Sequence, residues 1–144
     1  MLRRANIHDL PTIVELAVES VSINPIPVRI DRQAMYDTAK EALNNPHFLW
    51  VNEEDGKVVG ALVALCAPGF WFERNQVSVY LYYGKGVLKL FKKFMEWVQG
   101  RPAIKIVVVE LEPETDPRLT KYLKKLGLIR ESVNLTWVRG LNHE

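Results

Sequence analysis

One stretch constrains the fold more than any other: residues 77–111, "VSVYLYYGKGVLKLFKKFMEWVQGRPAIKIVVVEL". It begins with alternating β-branched and aromatic residues, the pattern of a half-buried strand. After Gly84-Lys85-Gly86 the period becomes helical. Leu88, Phe91, Met95 and Val98 share a face there, with Val87, Leu90 and Phe94 near it and Lys89, Lys92, Lys93, Glu96 and Gln99 outward. Gly100 stops the helix, and "AIKIVVVELE" reads as a mostly buried strand. Two strands joined through a helix run parallel or nearly so, because the helix carries the chain back to the starting edge.

The remainder supplies antiparallel partners and helices. "MLRRA" predicts a short first strand, and "NIHDLPTIVELAVESV" a helix with Asn6 as cap and Asp9 in the reciprocal position. Ile7, Leu10, Val14, Ala17 and Val21 form its apolar stripe, and Pro11 falls near its first turn. "SINPIPVR" reads as a loop. Asp31 caps a second helix whose inner side is Ala34, Met35, Thr38, Ala39 and Ala42, ended by "NNPH". "HFLWVNEEDGKVVGALVALC" is a hairpin about Asp55-Gly56. "TDPRLTKYLKKLG" is a helix with Thr115 or Asp116 as cap, Pro117 at its first position and Gly127 as its stop. "LIRESVNLTWVRG" predicts one or two last strands. The expected class is α/β: a mixed sheet with about four helices on both faces, in one domain over residues 1–144.

Composition narrows the function classes. A net charge of +2 without a concentrated basic run argues against nucleic acid or membrane as the main partner. No apolar run approaches the length of a membrane span, and "MLRRANIHDLP" lacks the apolar core of a signal peptide. The single cysteine, Cys66, excludes an internal disulfide and fits a reducing compartment. His8, His47 and His143 show no metal-ligand spacing, and Ser20, Ser22, Ser78 and Ser132 lie in no nucleophile elbow. Neither the G-x-G-x-x-G nor the G-x-x-x-x-G-K-S/T nucleotide-binding word occurs.

The order of these local words resembles the GNAT superfamily of acetyl-CoA-dependent N-acyltransferases over nearly the whole chain. "LRRANIHDLPTIVEL" looks like the first strand and helix, "FLWVNEEDGKVVGALVAL" like the hairpin, and "VYLYYGKGVLKLFKKFMEW" occupies the cofactor-loop region. "DPRLTKYLKKLGLIRE" resembles the late helix. The "WF" loop and "FMEWVQGRPAIK" look like small proteins encoded by bacteriophages. The resemblance implies a partly splayed sheet with acetyl-CoA in the wedge between two parallel strands. It places Gly84, Lys85, Gly86, Val87 and Leu88 at the pyrophosphate and the backbone of Val79 and Leu81 along the pantetheine. An unknown small-molecule or protein amine would be the acceptor, in the cytoplasm of a host cell.

The chain also departs from the family pattern. Leu81 stands where the family loop has Arg or Gln, and the strand meets Gly84 with nothing between. Fewer N–H groups then converge on two phosphates, so cofactor binding is expected to be weakened or lost. The family's general-acid Tyr position holds Leu123, and Tyr122 is one residue earlier, a rotation of about 100 degrees on a helix. Tyr122 as acid and Glu110 as base for the substrate ammonium are the catalytic candidates.

Each candidate has a plainer reading. Gly84-Lys85-Gly86 can be a tight strand–helix connection, and Glu110 with Glu112, Glu114 and Asp116 a charged strand end and helix cap. Lys89, Lys92 and Lys93 have the pattern of a solvated helix face, and Phe70, Trp71 and Phe72 serve either as a lid or as a partner surface. Two functions stay open: an acetyltransferase-like enzyme, or a catalytically inactive GNAT-fold virion or partner-binding protein associated with phage structural proteins.

Overall fold

The computed structural model describes residues 1–22, 26, 28–67, 76–113 and 115–140. Phe70, Trp71, Phe72, Glu114 and His143, and part of the "SINPIPVR" loop, lie outside the described residues. Five strands form one sheet in chain order: β1 (Leu2–Arg4), β2 (Phe48–Glu54), β3 (Lys57–Ala67), β4 (Gln76–Gly84) and β5 (Ile106–Val109). All neighbours are antiparallel except β4 and β5, which the crossover makes parallel. Helices α1 (Leu10–Ser22), α2 (Arg32–Ala42), α3 (Val87–Gln99) and α4 (Pro117–Lys125) cover the two faces.

Local signals set most of these boundaries. Asp55 and Gly56 both have positive φ, 52° and 77°, as the tight hairpin between β2 and β3 requires. The Asn6 side chain accepts from the His8 N–H while Asp9 accepts from the Asn6 N–H; one 3-10 turn, Ile7–Asp9, precedes α1. Asp31 accepts from the Ala34 N–H at the start of α2, and Asp116 from the Arg118 N–H at the start of α4.

Two apolar clusters flank the sheet. Leu10, Ile13 and Leu16 of α1 and Ala39 and Ala42 of α2 pack on Leu49, Val51, Ala61, Val63 and Leu81. On the other face Leu90, Phe91 and Phe94 of α3 and Leu123 of α4 pack on Phe48, Leu62, Ala64, Val77 and Val79.

Several expectations need correction. The inward face of α3 is Leu90, Phe91 and Phe94, whereas Leu88 is 45% exposed. Within the first turn it is Leu90, fully buried, and Val87, half-buried against the same cluster, that turn inward. Ala34 of α2 is exposed as well, and the buried positions of that helix are Ala39 and Ala42. The strand β5 has four residues and is only half-buried, so Glu110 and Glu112 lie just beyond it instead of within it. The expected last strands do not form among the described residues. Residues 128–138 are irregular, and Ile129, Val133, Leu135 and Trp137 are exposed. Their alternation is a strand's, but among the described residues the N–H groups of Arg130–Leu135 have no acceptor, as a ladder would provide.

Candidate functional site

The site is built where β4 ends. Opposite Val63 and Ala64 the register slips by one residue, leaving Tyr80 as the extra residue of a β-bulge in β4. A bulge reverses the alternation of side chains. Val77 and Val79 therefore face α3, Leu81 faces α1 and α2, and Tyr82 returns to the α3 side against Phe91. Pairing of β4 with β5 stops at Val79 and Val109, while β4 runs on to Gly84 against β3. The two parallel strands thus part company at the level of Val79 and Leu81, the residues that the family resemblance would set along a pantetheine.

The Tyr82 hydroxyl crosses this gap and donates to the Glu110 carbonyl oxygen at 2.7 Å. Burial pushes the Tyr82 phenol above its ordinary pKa, so the group stays a neutral donor near neutral pH. The Glu110 side chain is exposed and accepts from Asn134 Nδ2 at 3.3 Å.

The glycine turn is held from behind. A second bulge, in β3, leaves Val59 without a partner in β2, and its carbonyl accepts from the Lys85 N–H at 2.9 Å. Asn52, 6% exposed in the otherwise apolar inner part of β2, donates from Nδ2 to the Lys85 carbonyl at 3.0 Å. Its Oδ1 accepts from the Met1 amine at 3.0 Å. Backbones approach very closely here. A Cβ on Gly84, where φ is 95°, would lie 2.1 Å from the Val59 oxygen, and one on Gly60 would lie 2.2 Å from the Lys85 oxygen. Gly84 is thus required by packing and by backbone conformation together.

The turn presents a helix end to solvent. Gly86 caps α3 with φ 81° and supplies no side-chain hydrogen bond. The first backbone bond of the helix runs from the Leu90 N–H to the Gly86 carbonyl. Among the described residues, the N–H groups of Val87, Leu88 and Lys89 have no acceptor. Three orphan donors and the positive end of the helix dipole favour an anion. The Lys85 N–H, expected to join them, is engaged by Val59, so the cradle is smaller than its sequence implies. The Lys85 side chain is 76% exposed and its ammonium lies 4.0 Å from Glu54, an exposed pairing worth little in water.

The other candidates are dispersed. Leu123, at the family's general-acid place, is 3% exposed and belongs to the core under α3. Tyr122 is half-buried against the same cluster. An open depression of about 440 Å³ beyond β5 is lined by Leu111, Glu112, Thr115, Lys121 and others, but not by Tyr122 or the glycine turn. Two residues of the site escaped sequence reading, Asn52 and Tyr82. A lone Asn among the apolar positions of "FLWVNEE" was a usable signal. Tyr82 gave none, because its direction depends on the bulge.

No protein-family model matches the sequence, and no curated protein matches it. The fold does have solved counterparts. A ribosomal-protein-alanine N-acetyltransferase from Brucella melitensis superposes with a TM-score of 0.71 at 18% identity, over 88% of this chain and 83% of its own. A predicted acetyltransferase with acetyl-CoA from Clostridium acetobutylicum gives 0.71 at 14% identity, over 96% and 95%. A glucosamine-6-phosphate N-acetyltransferase from Arabidopsis thaliana gives 0.68 at 13% identity, over 96% and 97%. At these identities the likeness is one of fold, and that fold is the GNAT acetyltransferase architecture.

Proposed function

We propose that the chain is a GNAT-superfamily N-acetyltransferase-like protein that binds an acyl-CoA, acetyl-CoA foremost, at the start of α3 and transfers the acyl group to an amine. The observation that carries this reading is the uncapped end of α3. The N–H groups of Val87, Leu88 and Lys89 are orphaned just after the end of β4, the strand that runs on past the point where β4 and β5 separate. Those N–H groups, with Gly86 and Lys85, fit a pyrophosphate, and the edge of β4 from Val79 to Leu81 fits an extended arm. The bound cofactor supplies an activated thioester. The chain's own contribution is to align the amine with it and to move two protons. Glu110, exposed at the gap, takes the proton of the substrate ammonium, and a phenol returns one to the departing thiolate. Tyr122 holds that role in the family-based assignment, whereas Tyr82 has its hydroxyl in the gap itself.

A second reading, a GNAT-fold protein without catalysis that binds a partner, rests on specific observations. The Lys85 N–H is engaged by Val59, the Tyr82 hydroxyl spans the wedge, and Leu123 is buried at the usual acid position. Phage origin, with a place in the virion or the host cytoplasm, rests on the "WF" and "FMEWVQGRPAIK" words alone.

Thermal unfolding with acetyl-CoA separates the two readings. A ligand at 100 times its dissociation constant adds about 2.7 kcal/mol of stability. A rise in Tm that disappears in Leu88→Glu is the expected result. A carboxylate in the first turn suits the helix dipole yet repels a pyrophosphate. No shift at millimolar acetyl-CoA sinks the acyltransferase reading and leaves the partner-binding one.

A further inference from the structure

A second cavity lies on the α3 side of the sheet, at the far end of that helix from the glycine turn. It holds about 340 Å³, within the range of small-molecule sites, and is formed by β1, the start of β2 and the last turns of α3. At 1.5 Å per residue, Arg101 lies about 20 Å along the helix direction from Gly86. Arg4, Lys93 and Arg101 line it, and Glu96 is the one acidic side chain in the lining.

The cations are positioned without being neutralised. Lys93 Nζ sits 4.7 Å from the centre of the Trp50 ring, and the Arg101 guanidinium 4.8 Å from the centre of the Trp97 ring. Both indoles are backed by the core: Trp50 stacks on Phe48 at 6.1 Å and Trp97 on Phe94 at 5.8 Å. A cation over an indole is held by the ring quadrupole but keeps its charge. Among the described residues, none of Arg4, Lys93 and Arg101 has a carboxylate within ion-pair distance. Three positive charges against one negative, in a recess walled by low-dielectric rings, concentrate a positive potential there. Because the indole faces are already covered, the cavity selects for charge ahead of ring stacking.

We propose that this cavity is an anion site for a small phosphomonoester, separate from the acyl-CoA site. Arg4, Lys93 and Arg101 would converge on the phosphate, the guanidinium forks matching its oxygens, while Asn45, His47 and Glu96, which also line the recess, contact the esterified group. The inference stands whether or not the glycine turn binds a cofactor.

Phenyl phosphate titrated into the uniformly 15N-labelled chain tests it. The expected result is saturable movement of the indole N–H resonances of Trp50 and Trp97. Affinity should fall at least tenfold in Lys93→Gln and in Arg101→Gln, each still folded by its amide spectrum, and stay the same in Lys92→Gln, which removes an equal charge outside the cavity. Phenol, with the ring but no phosphate, should not bind. Three results overturn the proposal: no saturable movement of those indoles, equal weakening in Lys92→Gln, or movement confined to the amides of Val87, Leu88 and Lys89.

Discussion

Two glycines with the same sign of φ carry unequal burdens. Gly84 has φ 95° and a Cβ there would lie 2.1 Å from a backbone oxygen, whereas Gly56 has φ 77° and open space around it. The left-handed conformation alone costs an L-residue roughly 1–2 kcal/mol. Gly56→Ala should therefore lose about that much in urea unfolding. Gly84→Ala should lose clearly more, since Val59 must also move; equal losses would show that the turn is looser than described. Asn52 has a different burden. Its amide is the buried link between β2 and the Lys85 carbonyl. Asn52→Leu leaves that carbonyl without its partner, at a cost of about 1–3 kcal/mol. If the turn holds an acyl-CoA, the same substitution should weaken the ligand-induced rise in Tm as well.

At the scale of elements, the junction of β1 with the first helical turn is electrostatic. Arg3 forks onto Asp9 with bonds of 2.8 and 2.9 Å, and Asp9 also accepts from the Asn6 N–H at 2.8 Å. The hydrogen bonds from Arg3 hold the Asp9 carboxyl below its ordinary pKa. A depressed carboxyl stabilises the fold above its unfolded pKa, about 3.9, and that contribution vanishes as pH falls through the lower folded value. Acid titration of stability should thus show a loss beginning near pH 4 and continuing below it. Asp9→Asn should be less stable at neutral pH and should flatten that part of the curve; an unchanged acid limb would refute the assignment. The helix α3 offers a second test, of rotational setting. Phe91 is fully buried, so Phe91→Ala should cost about 3–5 kcal/mol. Leu88, at 45% exposure, should tolerate Ala within about 0.5 kcal/mol. The apolar period of "VLKLFKKFMEWV" admits both residues to one face, because a wide apolar arc does not fix which part of it turns toward the sheet.

Across the whole molecule, stability is concentrated in the sheet centre. The inner part of β3, Ala61–Ala64, is buried between the two clusters and paired on both sides. The segment after α4 is the opposite. Among the described residues, the N–H groups of Arg130–Leu135 have no acceptor. Amide hydrogen exchange should be slowest at 61–64 and fast at 130–135. Slow exchange in the latter would mean that a strand predicted from "LIRESVNLTWVRG" does find a ladder. The sequence expectation failed there for a physical reason: alternating apolar residues show that a segment suits a sheet, not that an edge is available to it.

What the sequence determined by itself was the kind and order of elements. The crossover over 77–111, the Asp55-Gly56 turn and the caps at Asn6, Asp31 and Asp116 act within a few residues of where they stand. Local chemistry of that kind is complete in the chain before it folds. The candidate site was legible only as a position, the glycine turn between β4 and α3. Its working state was decided by contacts between distant residues: Asn52 with Lys85, Lys85 with Val59, and Tyr82 with Glu110. Each depends on a bulge or a strand register, and register is set by how two whole strands bury their faces together. Tertiary structure alone therefore decided which amides at the turn are engaged and which, at Val87, Leu88 and Lys89, remain open to an anion.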